Sequence, residues 1–195
     1  MKKVFVVHGW GGTPKEGWFP WLKDSLEKKH FKVIILKMPN TEKPEIKSWV
    51  SYLKKLVGKL DENTFFIGHS VGCQTILRYL EKENKKCAGI IFVAPWVELD
   101  EDAIKKESKG SLKIYKSWQK EIDFERIRKL KIKLVSIFSD NDYFVPLNNV
   151  RIFEKELLSD IVIMHNKGHF TGSDNIKKLP VVVKELLSIK NNLSK

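Results

Sequence analysis

Gly68-His69-Ser70-Val71-Gly72 places a serine at the centre of a G-x-S-x-G pattern. The run before it, Thr64-Phe65-Phe66-Ile67, reads as a buried strand, and the run after it, from Cys73 to Leu80, has helical periodicity. A strand, a sharp turn and a helix form the context in which this pattern becomes a nucleophile elbow. Such a turn forces strained dihedrals on the serine, so its neighbours two positions away must lack bulk, and both are glycine. The helix N-terminus below the serine favours developing negative charge. A serine hydroxyl attacks carbonyl carbon only with a base beside it and an acid to orient that base.

The chain order that suits this fold is serine, then aspartate or glutamate, then histidine. Asp140-Asn141-Asp142 and His169 follow the fifth and sixth expected strands in that order. Asp142, in Asp142-Tyr143-Phe144-Val145-Pro146, is the preferred acid, with Asp140 as the alternative and otherwise a turn cap. His169, in a loop after Lys167-Gly168, is the preferred base. His165 is the alternative, and it and His30 are otherwise structural. An oxyanion needs two preorganised backbone donors. The Val71 N–H is one. The other comes from His8-Gly9-Trp10-Gly11-Gly12, with Trp10 first and Gly11 second. That glycine-rich loop lacks the spacing of a phosphate cradle. Trp10, Trp96, Phe144 and Phe170 flank these loops and are candidates for the wall of a small apolar substrate pocket. Trp18, Trp21 and Trp49 read instead as packing residues.

Short apolar runs must position these groups. Expected strands are Lys3–Val7, Phe31–Leu36, Thr64–Gly68, Gly89–Ala94, Lys133–Ser139 and Ile161–His165. Expected helices are Trp18–Lys29, Glu45–Leu60, Val71–Glu83, Leu147–Leu158 and Ile176–Ile189. Strands apolar on both faces and alternating with helices predict a three-layer α/β/α sandwich around a mostly parallel sheet. The expected order of its six strands is 2-1-3-4-5-6. The order reverses between strands 1 and 3, where open α/β sheets bind ligands, and Trp10 and Ser70 flank that point. One domain over residues 1–195 is expected. The 97–131 segment interrupts the rhythm and predicts either a small, partly helical lid or a long crossover. The tail from Asn191 is expected to fray.

The net charge is +12, but only four of the 36 basic residues are arginine. Dispersed lysines read as a solvated surface, and no specific nucleic-acid partner is expected. No apolar run is long enough for a membrane span. The first apolar run ends at His8-Gly9, too short for a signal peptide, so a cytoplasmic location is expected. Cys73 and Cys87 fit reduced thiols, and no metal-ligand spacing occurs.

Together these residues resemble the α/β-hydrolase superfamily. They are most similar to the small serine hydrolases of the retinoblastoma-binding-protein type and their bacterial relatives. The resemblance runs through His8-Gly9, Trp18-Phe19-Pro20-Trp21-Leu22-Lys23, Met38-Pro39-Asn40, the elbow with Cys73 and Ile76-Leu77-Arg78, Asp142 with Val145-Pro146, and Gly168-His169-Phe170. It implies a compact core with a minimal lid, a triad of Ser70, Asp142 and His169, and ester or amide hydrolysis without cofactor. The expected activity is a carboxylesterase acting on small acyl esters through an acyl-enzyme, in a monomer. A peptidase, amidase or thioesterase with the same triad, or a protein-binding module on the same scaffold, are the alternatives. The 97–131 segment is the least similar part.

Overall fold

A computed structural model of the protein describes residues 1–107 and 110–193. The strands are β1 (Lys3–Val7), β2 (Lys32–Ile35), β3 (Thr64–His69), β4 (Gly89–Val93), β5 (Leu134–Ser139) and β6 (Asp160–Met164). They form one sheet in the order β2-β1-β3-β4-β5-β6, and every pairing is parallel. The register Val7↔Gly68↔Phe92 brings the C-terminal ends of β1, β3 and β4 level. The loops after β1 and β3 therefore open on the same edge.

Helices α1 (Phe19–Glu27), α2 (Ile46–Val57), α3 (Val71–Glu83), α4 (Glu101–Glu107), α5 (Ser111–Trp118), α6 (Phe124–Lys129), α7 (Asn148–Leu157) and α8 (Pro180–Asn192) surround the sheet. Helices α1 and α8 pack against each other on one face, while α2, α3, α6 and α7 adjoin in series on the other. The central strands β3, β4 and β5 are buried along their whole length, which explains why their sequences are apolar without alternation. Trp18 and Trp49 are buried in this core and Trp21 packs partly buried against it.

Most boundaries differ from expectation by a residue or two, α2 ends three residues early at Val57, and α8 is shifted at both ends. Helix α8 starts at Pro180 rather than Ile176, with proline in the first turn where its missing N–H costs nothing. It also runs through Asn191 and Asn192, expected to fray; residues 194–195 lie outside the described residues. The 97–131 segment, apart from residues 108–109, which also lie outside the described residues, folds as three short helices docked on the core. Ile104, Ser111, Tyr115, Trp118, Ile122 and Ile127 are its buried residues among those described. The Trp118 indole donates to the Pro44 carbonyl at 2.9 Å and meets Trp49 edge-on. Arg78, on α3, donates to the carbonyls of Trp118, Lys120 and Glu121. Asn149 of α7 accepts from the Val97 and Glu98 amides at the segment's start. Among the described residues, no helix is long and apolar enough to cross a membrane.

Candidate active site

Ser70 sits between the end of β3 and the start of α3 with φ 53° and ψ −121°, a conformation that L residues rarely hold. The surroundings enforce it. The Ser70 N–H donates to Val93 O at 3.0 Å, and Ser70 O accepts from Cys73 N at 2.9 Å. A Cβ on Gly72 would lie 2.2 Å from the Val7 carbonyl oxygen, and one on Gly68 would lie 2.9 Å from Cys73 Cα. Both glycines are there because backbone occupies the space a side chain would take. The Cys73 thiol, behind the serine, is fully buried and donates to Val93 O. Burial raises its pKa well above the ordinary thiol value, so it stays protonated and unreactive. Cys87 is likewise a buried free thiol, pushed up to about 12.

Helix α3 begins at Val71, so the Val71 N–H has no intrahelical acceptor. In the loop after β1, the Gly11 N–H is committed to Thr41 O at 2.9 Å and the Gly12 N–H to Gly9 O at 3.2 Å. Gly11, the second choice for an oxyanion donor, is thereby spent. Trp10 lines the cavity above Ser70, held by its indole N–H on Glu42 O.

Asp142 and His169 meet. His169 Nδ1 lies 2.8 Å from Asp142 Oδ2 and 3.1 Å from Oδ1, with the carboxylate 1% and the imidazole 8% exposed. Asp142 Oδ1 also accepts from the Phe144 and Val145 amides, which fixes the carboxylate's orientation. With Nδ1 engaged by Asp142, Nε2 is the remaining ring nitrogen. Among the described residues no hydrogen bond joins Ser70 Oγ to His169. Both residues line one cavity, and such contacts commonly tighten only with substrate in place.

Asp140 and His165, the alternatives, pair with each other through His165 Nδ1. Asp140 also accepts from the Asn166 amide, and His165 is 84% exposed. They stitch the β5 and β6 loops outside the cavity. The His169 loop is tied down further by Lys167 N on Ser139 Oγ and Gly168 N on Asn141 Oδ1.

The cavity holds about 410 Å³ and is walled by Trp10, Trp96 and Phe144, with Leu99 and Ile104 from the 97–131 segment. Phe170 is a correction. Its backbone is left-handed (φ 58°), its ring is fully buried in the core rather than lining the cavity, and its carbonyl accepts the Trp18 indole N–H. Adjacency to His169 in the chain did not translate into adjacency to the site. His69 is the residue that the sequence reading passed over. It is buried beside His169, with Nε2 2.8 Å from the His169 carbonyl, and desolvation, reinforced by the neighbouring His169, holds its pKa down at about 3. The only signal was its place inside the elbow motif. Among the described residues, no cluster of three or more His, Cys, Asp or Glu could hold a metal ion.

The fold and this geometry define an α/β hydrolase, and the chain belongs to the serine hydrolase family, whose model matches residues 4–188. It is 29% identical to YdeN of Bacillus subtilis (strain 168) over 190 residues, covering 96% of this chain and 95% of that one. The YdeN crystal structure superposes with a TM-score of 0.88 at 27% identity, over 98% of this chain and all of the other. The chain is also 24% identical over 189 residues to the serine hydrolase RBBP9 of Rattus norvegicus, covering 95% and 96% of the two.

Proposed function

We propose that the protein is a carboxylesterase that hydrolyses small acyl esters through an acyl-enzyme on Ser70. Ser70 Oγ attacks the ester carbonyl carbon while His169 Nε2 takes its proton. The tetrahedral oxyanion rests on the Val71 and Trp10 backbone N–H groups. Collapse breaks the bond to the alkoxy group, which leaves as alcohol with the proton from His169. Water then gives its proton to His169 as it attacks the acyl carbon. The carboxylic acid departs and Ser70 regains its hydrogen. Asp142 keeps His169 in the tautomer protonated at Nδ1 and stabilises the imidazolium. The substrate is a small molecule, the reaction needs no cofactor, and the protein acts as a cytoplasmic monomer.

The observation that carries this reading is the buried Asp142–His169 pair, both carboxylate oxygens on one imidazole nitrogen, opening on the cavity that holds the strained Ser70. The test is labelling by a fluorophosphonate probe together with turnover of short-chain 4-nitrophenyl esters. Native protein should label and turn over, and Ser70→Ala should do neither while melting as a folded protein. Absent labelling of folded native protein would overturn the proposal.

A further inference from the structure

The cavity's charge is opposite to that of the molecule. The chain carries 36 lysines and arginines against 24 acidic residues. Yet, histidines aside, the charged residues lining the cavity are Glu16, Glu42 and Glu107, and no lysine or arginine is among them. Two of these carboxylates are placed closely. A Cβ on Gly12 would lie 2.7 Å from Glu16 Oε1, and one on Gly11 would lie 3.7 Å from Glu42 Oε1. Both therefore stand against the loop that carries Trp10. Glu107 reaches the cavity from α4, in the segment that covers it. Among the described residues none of the three joins a salt bridge, and the partner of Glu16 is Thr13 rather than a cation. Partial burial pushes the Glu16 carboxyl above its ordinary pKa, the sign of a charge short of solvation.

Carboxylates beside an oxyanion site work against the reaction. Each raises the cost of the negative charge that develops on the carbonyl oxygen. A positive group on the substrate offsets that penalty. The same cavity presents aromatic rings, Trp10, Tyr143 and Phe144, whose faces attract cations. It is also where a substrate must enter to meet Ser70, so this acidic lining belongs to a site defined independently by its nucleophile and base.

We infer that the cavity selects acyl substrates carrying a fixed positive charge, an ammonium group, over neutral and anionic ones of the same shape. This rests on the hydrolase reading above. Selection acts on kcat/KM, because the charge is complemented most strongly as the oxyanion forms.

The test compares three 4-nitrophenyl esters of equal chain length, ending in trimethylammonium, its tert-butyl isostere and a carboxylate. Three solvent-exposed carboxylates, each worth about twofold, should give a cationic-to-neutral ratio of about tenfold at low ionic strength. The anionic ester should fall below the neutral one. The ratio should shrink toward unity in roughly 1 M salt, where the screening length is about 3 Å, and in the Glu16→Gln/Glu42→Gln double variant. Glu125→Gln, remote on α6, should leave it unchanged. A ratio is insensitive to the fraction of variant that folds. Equal rates for all three esters, or a preference for the anionic one, in protein that labels with fluorophosphonate would overturn the charge selection and leave the hydrolase standing. A folded protein that neither labels nor turns over any of the three would overturn both.

Discussion

His69 Nε2 lies 2.8 Å from the backbone carbonyl of His169, and because a carbonyl only accepts, that nitrogen carries the proton. One histidine of the elbow motif thus pins the main chain of the residue that faces the elbow's serine. The contact crosses a hundred residues of sequence.

The pair has a consequence for acid stability. Burial depresses the His69 pKa to about 3 in the folded protein, against an ordinary 6.5 when unfolded. A depressed folded-state value means the unfolded chain binds the proton first. The stabilisation is complete above about pH 6.5 and is lost as the pH falls toward 3, at up to about 1.4 kcal/mol per pH unit. Fully buried His8 is shifted down in the same direction and adds to the slope. Urea midpoints should fall steeply between pH 6.5 and 4. His69→Gln, which keeps an N–H for the His169 carbonyl, should flatten that fall. An unchanged slope in the variant would show that His69 does not titrate on unfolding.

On the proposed triad, Asp142→Asn leaves the shape of the site but removes the negative charge beside His169 Nδ1. Activity should drop roughly ten-thousand-fold. Asp140→Asn touches only the exposed His165 pair and the Asn166 amide, so its activity should stay within a few-fold of native. Steady-state rates on a neutral ester measure both, and the reverse ranking would reassign the acid.

The elbow stores strain, and its release should be measurable. Ser70→Ala keeps a Cβ at φ 53°, whereas Ser70→Gly removes it. A strained residue of this kind costs about 1–3 kcal/mol, partly offset by the unfolded-state freedom of glycine. Ser70→Gly should therefore be more stable than Ser70→Ala by about 1 kcal/mol in chemical denaturation, with both inactive. Equal stabilities would mean that the strain is no larger than the unfolded-state cost of glycine, about 1 kcal/mol or less.

Arg78 fastens the 97–131 segment to the elbow helix through three backbone carbonyls. Arg78→Met preserves much of the apolar stem but leaves those carbonyls without their charged donor, a loss of about 2 kcal/mol or more. The segment should loosen before the sheet does. Limited proteolysis should cut first between Trp118 and Asp123, with the core fragments surviving. Cleavage elsewhere first would place the anchor at the Asn149 contacts instead.

Much of this was legible in the sequence because the relevant rules are local. Strands buried on both faces announce themselves as unbroken Val, Ile and Phe runs, and once their order follows, the loops holding Ser70, Asp142 and His169 fall on one edge. Phe170 was misread because its left-handed backbone turns the ring into the core, and dihedrals of single non-glycine residues leave no compositional trace. Helix α8 was started too early because Ile176 and Leu179 continue its apolar period while Pro180 resets its first turn. The cavity glutamates were invisible for a different reason. Glu16, Glu42 and Glu107 lie in three unrelated segments, and only the folded loops bring them around Ser70.

The Arg78 contacts reach main-chain oxygens alone, and carbonyls are the same whatever residues carry them. The clasp therefore does not read the side chains of Trp118, Lys120 or Glu121. A replacement segment of similar length that presents three carbonyls at those points could be grafted over an untouched Ser70–His169 centre. The graft would also have to meet the Asn149 side chain and fill the place of the Trp118 ring against Trp49, so the segment is exchangeable at its Arg78 clasp and specified at those two points.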